Sequence, residues 1–285
     1  MKIKEVGIIG SGQMGNGIAH VCALSGYKVV LIDIAQEALD KAMEVINKNL
    51  SRQVQKGKIT QEDMDSSLNR ISISTDSSTL NNADLIIEAA TENFDLKVKI
   101  FQGLLDHIKG DCLLSTNTSS MSITKLAAAT NRPEKFIGLH FMNPVPVMKL
   151  VELIPGIATS DEMLETIKEF AKSLGKTVAT SKDYPAFIAN RILMPMINEA
   201  ICALYEGVGD VESIDTAMKL GMGHPMGPLA LADFIGLDTC LAIMNVLHEG
   251  FGNPKYSPSP LLVKYVEAGW YGVKSGKGFY DYPKK

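Results

Sequence analysis

Three side chains in the middle of the chain have types suited to acid–base chemistry at an oxygen atom. His140 lies in an apolar segment, and an imidazole titrates near neutral pH, so it can take an alcohol proton and return it. Glu152 follows near another apolar segment and could hold the second ring nitrogen, while Ser119 could hydrogen-bond a substrate oxygen. The competing interpretation is a packed histidine with a satisfied ring, beside an ordinary loop or N-cap serine.

A glycine-rich turn near the start of the chain predicts a phosphate-binding loop. Gly10, Gly12 and Gly15 form a G-x-G-x-x-G pattern between the apolar segment Val6–Ile9 and an amphipathic segment that runs to about Leu24. In this pattern the first glycine permits a tight turn, the second admits a pyrophosphate, and the third lets the helix pack on the strand. The amino terminus of the helix then offers free N–H groups to the phosphates.

An acid after the second apolar segment indicates which dinucleotide binds. Asp33 follows Lys28–Ile32, and an acid there accepts hydrogen bonds from a ribose diol and repels a 2′-phosphate. The next residues include no arginine that could hold such a phosphate. The pattern therefore favours NAD over NADP. FAD proteins share the glycine pattern, and a turn-capping aspartate beside a structural glycine turn is the simpler alternative.

A basic stripe marks the second helical segment, Gln36–Gln55, whose apolar residues recur at helical spacing. Lys48, Arg52 and Lys56 recur every four residues on another face. Such a stripe is usually a solvated surface. Beside a dehydrogenase site it could instead bind a phosphorylated carrier such as coenzyme A.

The elements that must position these residues alternate between short apolar strands and helical segments, which predicts a parallel sheet with crossover helices. The predicted strands are Val6–Ile9, Lys28–Ile32, Ile71–Thr75, Leu85–Ala89, Cys112–Ser115, Phe136–Phe141, Leu150–Ile154 and Thr177–Thr180. Because ligands sit beyond the carboxyl ends of parallel strands, Glu92, Ser119, His140 and Asn143 should share one edge with the glycine turn. Thr159 and Glu162 predict a capping box for a helix that ends before Gly175.

The pattern changes to helices alone near residue 184. The predicted helices are Ala186–Tyr205, Val211–Leu220, Leu229–His248 and Leu261–Ala268, with separators rich in Gly and Pro. We therefore predict a Rossmann-like α/β dinucleotide-binding domain over residues 1–184, followed by an all-α C-terminal domain over residues 185–285.

Composition narrows the class of protein. The 46% hydrophobic and 21% charged residues are ordinary for a globular enzyme, and a net charge of −4 argues against a nucleic-acid-binding role. The four cysteines are scattered without metal-ligand spacing, so neither a disulfide framework nor a metal site is expected. We see no signal peptide and no apolar run of the roughly 18 residues that a membrane span needs. These features predict a cytoplasmic protein with no membrane partner.

Seven segments, spread nearly end to end, resemble the short-chain L-3-hydroxyacyl-CoA dehydrogenase family, of the bacterial 3-hydroxybutyryl-CoA dehydrogenase type. The most specific is the run from His140 to Glu152. The matching segments are Val6–Gly17, Ile86–Asn93, Ser115–Ser122, Gly138–Glu152, Pro185–Arg191, Gly223–Asp238 and Gly272–Tyr282.

The resemblance implies a role for each matching residue. It implies that His140 is the catalytic base and that Glu152 is its partner. It also implies that Ser119 and Asn190 contact the substrate oxygen, with Asn190 completing the site from the second domain. The implied NAD contacts are Gly10, Ser11, Gly12, Gln13, Met14, Gly15, Asp33, Glu92, Lys97, Ser119, Asn143 and Lys274. Lys56, with Arg52 beside it in the basic stripe, would bind coenzyme A. Asn49 stands where some relatives have a serine that contacts coenzyme A, which departs from the family pattern.

The resemblance also implies the reaction, which is hydride transfer between NAD and the 3-carbon of an acyl-CoA, interconverting 3-hydroxybutyryl-CoA and acetoacetyl-CoA. It implies a homodimer formed through the helical domain. Two alternatives stay open at this point: a related two-domain dehydrogenase of a hydroxy acid or sugar acid such as gulonate, and a non-catalytic NAD-binding protein.

Overall fold

The computed structural model describes residues 2–283. The chain divides into two compact units, Met1–Tyr184 and Pro185–Lys285. The first is an α/β unit built on one sheet, and the second is helical. This is the predicted fold class, a Rossmann-like domain followed by an all-α domain.

One eight-stranded sheet, in the order β3-β2-β1-β4-β5-β6-β7-β8, organises the first unit. Strands β1 to β6 are mutually parallel, β7 runs antiparallel to β6, and β8 is parallel to β7. The order reverses at β1, and the carboxyl ends of the strands beside such a reversal leave a crevice for a ligand. The strands are β1 (Glu5–Ile9), β2 (Lys28–Ile32), β3 (Ile71–Ser74), β4 (Leu85–Glu88), β5 (Leu113–Thr116), β6 (Phe136–Phe141), β7 (Leu150–Pro155) and β8 (Thr177–Thr180).

Helices cover the sheet because each buries one apolar face against it. The helix α2 buries Leu39, Ile46 and Leu50 of the predicted stripe in the core formed with β1, β2 and β4. The helices of this unit are α1 (Gln13–Leu24), α2 (Gln36–Gln55), α3 (Gln61–Asn69), α4 (Phe94–Leu104), α5 (Ile123–Ala128) and α6 (Asp161–Ser173), with 3-10 turns at Ser77–Asn82 and Pro133–Lys135.

The predicted capping box of α6 is wrong by one residue. The helix is capped by Ser160, whose hydroxyl accepts a hydrogen bond from Met163 N–H. Thr159 is occupied elsewhere, because its hydroxyl donates to the Phe136 carbonyl at 2.6 Å and accepts from Gly156 N–H at 2.8 Å. The helix ends as expected before Gly175, whose φ of +71° is in the left-handed region that glycine favours.

The second unit contains five α-helices in its described residues, and two sequence predictions fail there. The predicted helix Leu229–His248 is two helices bent by 98° at Gly236, because the φ of +104° at that glycine breaks the helical path. The predicted helix from Ala186 starts three residues later, because Ala186 and Phe187 both have positive φ. The helices are α7 (Ala189–Tyr205), α8 (Val211–Thr216), α9 (Pro228–Ile235), α10 (Leu237–Phe251) and α11 (Pro260–Glu267), with a π-turn at Ala217–Gly221 and 3-10 turns at Pro254–Tyr256 and Val273–Ser275.

Over residues 2–283, no individual helix has both the length and the apolar character needed to cross a membrane. The bent pair α9 and α10 reaches that length and composition only when its two halves are counted together.

Candidate active site

The glycine turn joins β1 to α1, and each of its three glycines has a separate physical reason. Gly10 has a φ of +95°, and a Cβ there would come within 2.7 Å of the Ala89 carbonyl oxygen. A Cβ on Gly15 would overlap the Gly10 carbonyl oxygen. Gly12 differs, because no atom of the described residues lies within 4 Å of the position of its Cβ. Gly12 therefore faces open space at the amino terminus of α1, where a pyrophosphate can approach the backbone.

Asp33 lies beside this turn at the carboxyl end of β2. Its Oδ2 accepts hydrogen bonds from Ser11 N–H at 2.8 Å and from the Ser11 hydroxyl at 2.7 Å. Burial opposes ionisation of the carboxyl, but the hydrogen bonds from Ser11 and from the N–H groups of Ala35 and Ile34 together outweigh it and lower the pKa of Asp33 below its usual value. Asp33 is therefore an ionised acceptor at neutral pH, fixed next to the turn.

A cavity of about 940 Å³ opens at this crevice. Its size and concave form suit a dinucleotide. With the open cradle at Gly12 and the acceptor at Asp33, the residues present fit NAD, with the turn on the pyrophosphate and Asp33 on the adenine ribose. The lining includes Gly10, Ser11, Gly12, Gln13, Asp33, Ile34, Ala89, Ala90, Thr91 and the loop Asn143–Pro146, with residues of α2 and α4.

His140, Glu152 and Ser119 form a continuous hydrogen-bonded line. His140 on β6 is directly opposite Glu152 on the antiparallel β7, and His140 Nδ1 lies 2.9 Å from Glu152 Oε2. On the other side of the ring, Nε2 lies 3.0 Å from the Ser119 hydroxyl. Both His140 and Glu152 are buried. A buried carboxylate at Nδ1 favours the tautomer that carries its proton there, which leaves Nε2 as the acceptor.

Glu92 lies after the end of β4 and holds the loop that carries Ser119. It accepts hydrogen bonds from the Thr118 hydroxyl, from Ser119 N–H at 3.0 Å and from the Ser120 hydroxyl at 3.2 Å. Its other oxygen lies 3.4 Å from the ammonium of Lys97. The sequence therefore placed Glu92 and Ser119 at one edge correctly, and the structure adds the contact between them.

Lys97 is fully buried, and its ammonium donates to Glu88 at 2.7 and 2.9 Å and to the Ala90 carbonyl at 3.2 Å. Glu88, the last residue of β4, is also fully buried. Sequence reasoning missed Glu88 because, at this strand, it considered only the polar residues that follow it and passed over the charge inside it. The signal that could have revealed it is a charged residue within an otherwise apolar strand.

Four other predicted site residues belong to α2, to the residue after it, and to the second unit. Arg52 is exposed on α2, and Lys56 is exposed immediately after that helix. Asn190 is in the first turn of α7, and Lys274 donates to Asp238 at 2.6 Å within the second unit. The roles of these four residues toward coenzyme A, substrate and NAD stay predictions.

Two family models and several relatives match this chain. Residues 5–184 match the NAD binding domain of 3-hydroxyacyl-CoA dehydrogenase, and residues 187–282 match its C-terminal domain. A 3-hydroxybutyryl-CoA dehydrogenase of Bradyrhizobium diazoefficiens is 61% identical over 280 residues, which cover 98% of this chain and 96% of that protein. A probable 3-hydroxybutyryl-CoA dehydrogenase of Bacillus subtilis is 53% identical over 285 residues, covering 100% and 99%.

A solved structure of the same family is also similar to this chain over nearly its whole length. The crystal structure of (S)-3-hydroxybutyryl-CoA dehydrogenase from Ralstonia eutropha has a TM-score of 0.97 at 51% identity, covering 99% of this chain and all of that one. The match extends over both units and includes the sheet that carries the glycine turn and the His140–Glu152 pair. The chain therefore belongs to the 3-hydroxyacyl-CoA dehydrogenase family.

Proposed function

We propose that this protein is an NAD-dependent dehydrogenase that interconverts (S)-3-hydroxybutyryl-CoA and acetoacetyl-CoA. The observation that carries the proposal is the line from Ser119 through His140 to Glu152, located in the same unit as the NAD-fitting cavity. The names of the relatives support the acyl-CoA substrate.

The proposed mechanism assigns acid–base work to His140. In the oxidative direction, Nε2 takes the proton of the 3-hydroxyl while Ser119 hydrogen-bonds the same oxygen. Glu152 keeps the ring in the required tautomer and stabilises the positive charge that the ring then carries. In the reductive direction, the imidazolium returns the proton to the ketone oxygen of acetoacetyl-CoA. The bound cofactor would supply the hydride acceptor for the 3-carbon in oxidation, as NAD, and the hydride donor in reduction, as NADH.

Several finer assignments belong to the same proposal. Asn190 is proposed as a second hydrogen-bond donor to the substrate oxygen, and Lys274 as an NAD contact. The exposed cations Arg52 and Lys56 support a coenzyme A site on α2, because a phosphorylated carrier needs accessible positive charge.

The assembly and the setting are also proposals. Exposed apolar residues on the second unit support a homodimer through that unit; they include Ile192, Tyr205, Val208, Leu220, Met222 and Phe234. We place the enzyme in the cytoplasm and in fatty acid and butanoate metabolism.

A rate comparison tests the proposal. The initial rates of acetoacetyl-CoA and of longer 3-ketoacyl-CoA substrates would be measured with NADH and with NADPH. We expect acetoacetyl-CoA with NADH to give the highest kcat/KM. Activity on free hydroxy acids or sugar acids that exceeds activity on the CoA thioester would contradict the proposal.

A further inference from the structure

A buried ion pair lies directly beneath the loops of the candidate site. Glu88 and Lys97 are both fully buried, and the ammonium contacts both carboxylate oxygens. The same carboxylate accepts the Thr116 hydroxyl at 2.6 Å from the neighbouring strand and Ala90 N–H at 2.6 Å. The contacts of Glu88 thus join the ends of β4 and β5 to the first turns of α4.

Such a pair is weak evidence for a purely stabilising role. Removing two opposite charges from water costs several kcal/mol per ion, and hydrophobic residues of similar volume often give equal or greater stability. Stability alone therefore does not explain a buried ion pair at the carboxyl edge of the sheet. The contacts of the partner lysine supply a further reason for it.

Lys97 connects the pair to the reacting groups. Besides Glu88, its ammonium faces the Ala90 carbonyl at 3.2 Å and Glu92 at 3.4 Å. Ala90 lines the cavity that fits NAD. Glu92 accepts from Ser119 N–H, and the Ser119 hydroxyl contacts His140. An unbroken series of charged and hydrogen-bonded contacts therefore runs from Glu88 to the proposed base.

We propose that Glu88 is a positioning residue of the reaction, which acts through Lys97 and Glu92 to fix Ser119 against His140. This inference rests on the proposed function. Glu88 holds the ammonium at one point, the ammonium holds Glu92, and Glu92 fixes the backbone that carries the Ser119 hydroxyl. Without the charge of Glu88, the Lys97 ammonium keeps only the Ala90 carbonyl and Glu92 as partners, so it can move, and Glu92 and the loop bonded to it can move as well.

A matched control lies at the opposite end of the same strand. Asp84 immediately precedes β4 and accepts from the Lys109 ammonium at 2.6 Å and from Lys4 N–H at 2.7 Å. It is an ion pair anchored to the same strand but at the amino edge of the sheet, away from the candidate site. Asp84→Asn therefore reports what the loss of an ion pair on this strand does to the fold alone.

The experiment compares Glu88→Gln with Asp84→Asn in the full chain. Thermal unfolding curves establish whether each variant is folded at 25 °C. At that temperature, kcat and KM are then measured for acetoacetyl-CoA with NADH. For Glu88→Gln we expect kcat to fall by roughly 10-fold to 100-fold, because misplacing a reacting group by about 1 Å has effects of that size. KM for acetoacetyl-CoA should stay within about twofold, because the proposed carrier contacts on α2 are not part of the Glu88 series.

The outcomes separate three cases. A fall in kcat for Glu88→Gln, with Asp84→Asn retaining wild-type kcat, supports the positioning role. Equal kcat in the two folded variants and the wild type overturns it. If the wild-type protein does not reduce acetoacetyl-CoA, the proposed function itself is wrong. That result is obtained before any variant is compared.

A milder variant covers the case in which Glu88→Gln does not fold. Thr116→Val keeps the shape of the buried side chain and removes the hydroxyl that donates to Glu88. We expect roughly a threefold to fivefold lower kcat with folding retained, because Glu88 loses one hydrogen bond and keeps the Lys97 ammonium and Ala90 N–H as partners. Unchanged kcat in a folded Thr116→Val protein would count against the role of Glu88.

Discussion

The carboxylate of Glu152 should support catalysis through charge rather than through shape. Glu152→Gln keeps the volume of a buried side chain and replaces its negative charge with a neutral amide. In the wild type, Oε2 lies 2.9 Å from His140 Nδ1, and both groups are buried, so the positive charge that forms on the ring is compensated at short range. Replacing a charged hydrogen bond by a neutral one costs about 1 to 2 kcal/mol, and loss of the attraction between two charge centres about 4 Å apart, at an effective dielectric of about 20, sets an upper limit of roughly 4 kcal/mol.

An increase in the barrier of about 2 to 4 kcal/mol corresponds to a fall in kcat of roughly 30-fold to 1,000-fold. The assay is steady-state reduction of acetoacetyl-CoA by NADH, with NADH affinity measured separately by fluorescence. NADH affinity should stay within about twofold, since the cavity that fits NAD is lined by other residues. Glu169→Gln, which neutralises an exposed glutamate of α6, serves as the control and should behave as the wild type. A Glu152→Gln enzyme with kcat within threefold of the wild type would refute this reasoning.

Four further predictions follow from individual side chains. Gly12→Ala should leave the melting temperature unchanged, because the added Cβ meets no described protein atom. It should weaken NADH binding by roughly 10-fold or more, because the methyl group would occupy the space proposed for the pyrophosphate. Equal NADH affinity of variant and wild type by fluorescence titration would argue against a pyrophosphate at Gly12. Asp33→Ser should raise kcat/KM with NADPH relative to NADH by about 10-fold, and an unchanged ratio would remove Asp33 from cofactor selection. Lys56→Glu should raise KM for acetoacetyl-CoA several-fold with little change in kcat, whereas an unchanged KM would place the carrier elsewhere. Burial lowers the pKa of His20 to about 4, so the folded state binds fewer protons than the unfolded state as the pH falls from 6.5 towards 4. The stability that neutral His20 contributes is complete above pH 6.5 and is lost over that window. Urea unfolding should show the free energy of unfolding falling by about 2 kcal/mol between pH 7 and pH 5, and His20→Gln should lack this fall.

Much of the fold follows from the sequence because its signals are local. Each of the eight predicted strands is within one residue of an observed strand at either end. The signal is strongest for the central strands β1, β4 and β6, because strands buried on both faces have apolar runs. The glycine turn is equally local, and its positions are set by φ and by close backbone approach. The helix break at Gly236 escaped prediction, because a single glycine inside a helical pattern is usually tolerated and only its φ of +104° shows the bend.

The site was harder to predict where it depends on register and packing. His140 and Glu152 were paired as a hypothesis, but nothing local could show that β6 and β7 are antiparallel with these two residues directly opposite. Glu88 was missed because the importance of a buried charge comes from its partners, and Lys97 and Thr116 come from two other elements. The resemblance implies that Lys97 contacts NAD, and this role stays a prediction; the contacts of its ammonium with Glu88, Ala90 and Glu92 could not be read from the sequence.

The central claim is that His140 transfers the proton of the 3-hydroxyl in an NAD-dependent reaction on an acyl-CoA. The most direct test is the turnover of His140→Ala with acetoacetyl-CoA and NADH, measured beside NADH binding in the same preparation. We predict that turnover falls by roughly 100-fold or more while NADH binding is retained, because loss of a general acid–base group has an effect of that size. Near-normal turnover in this variant would contradict the account.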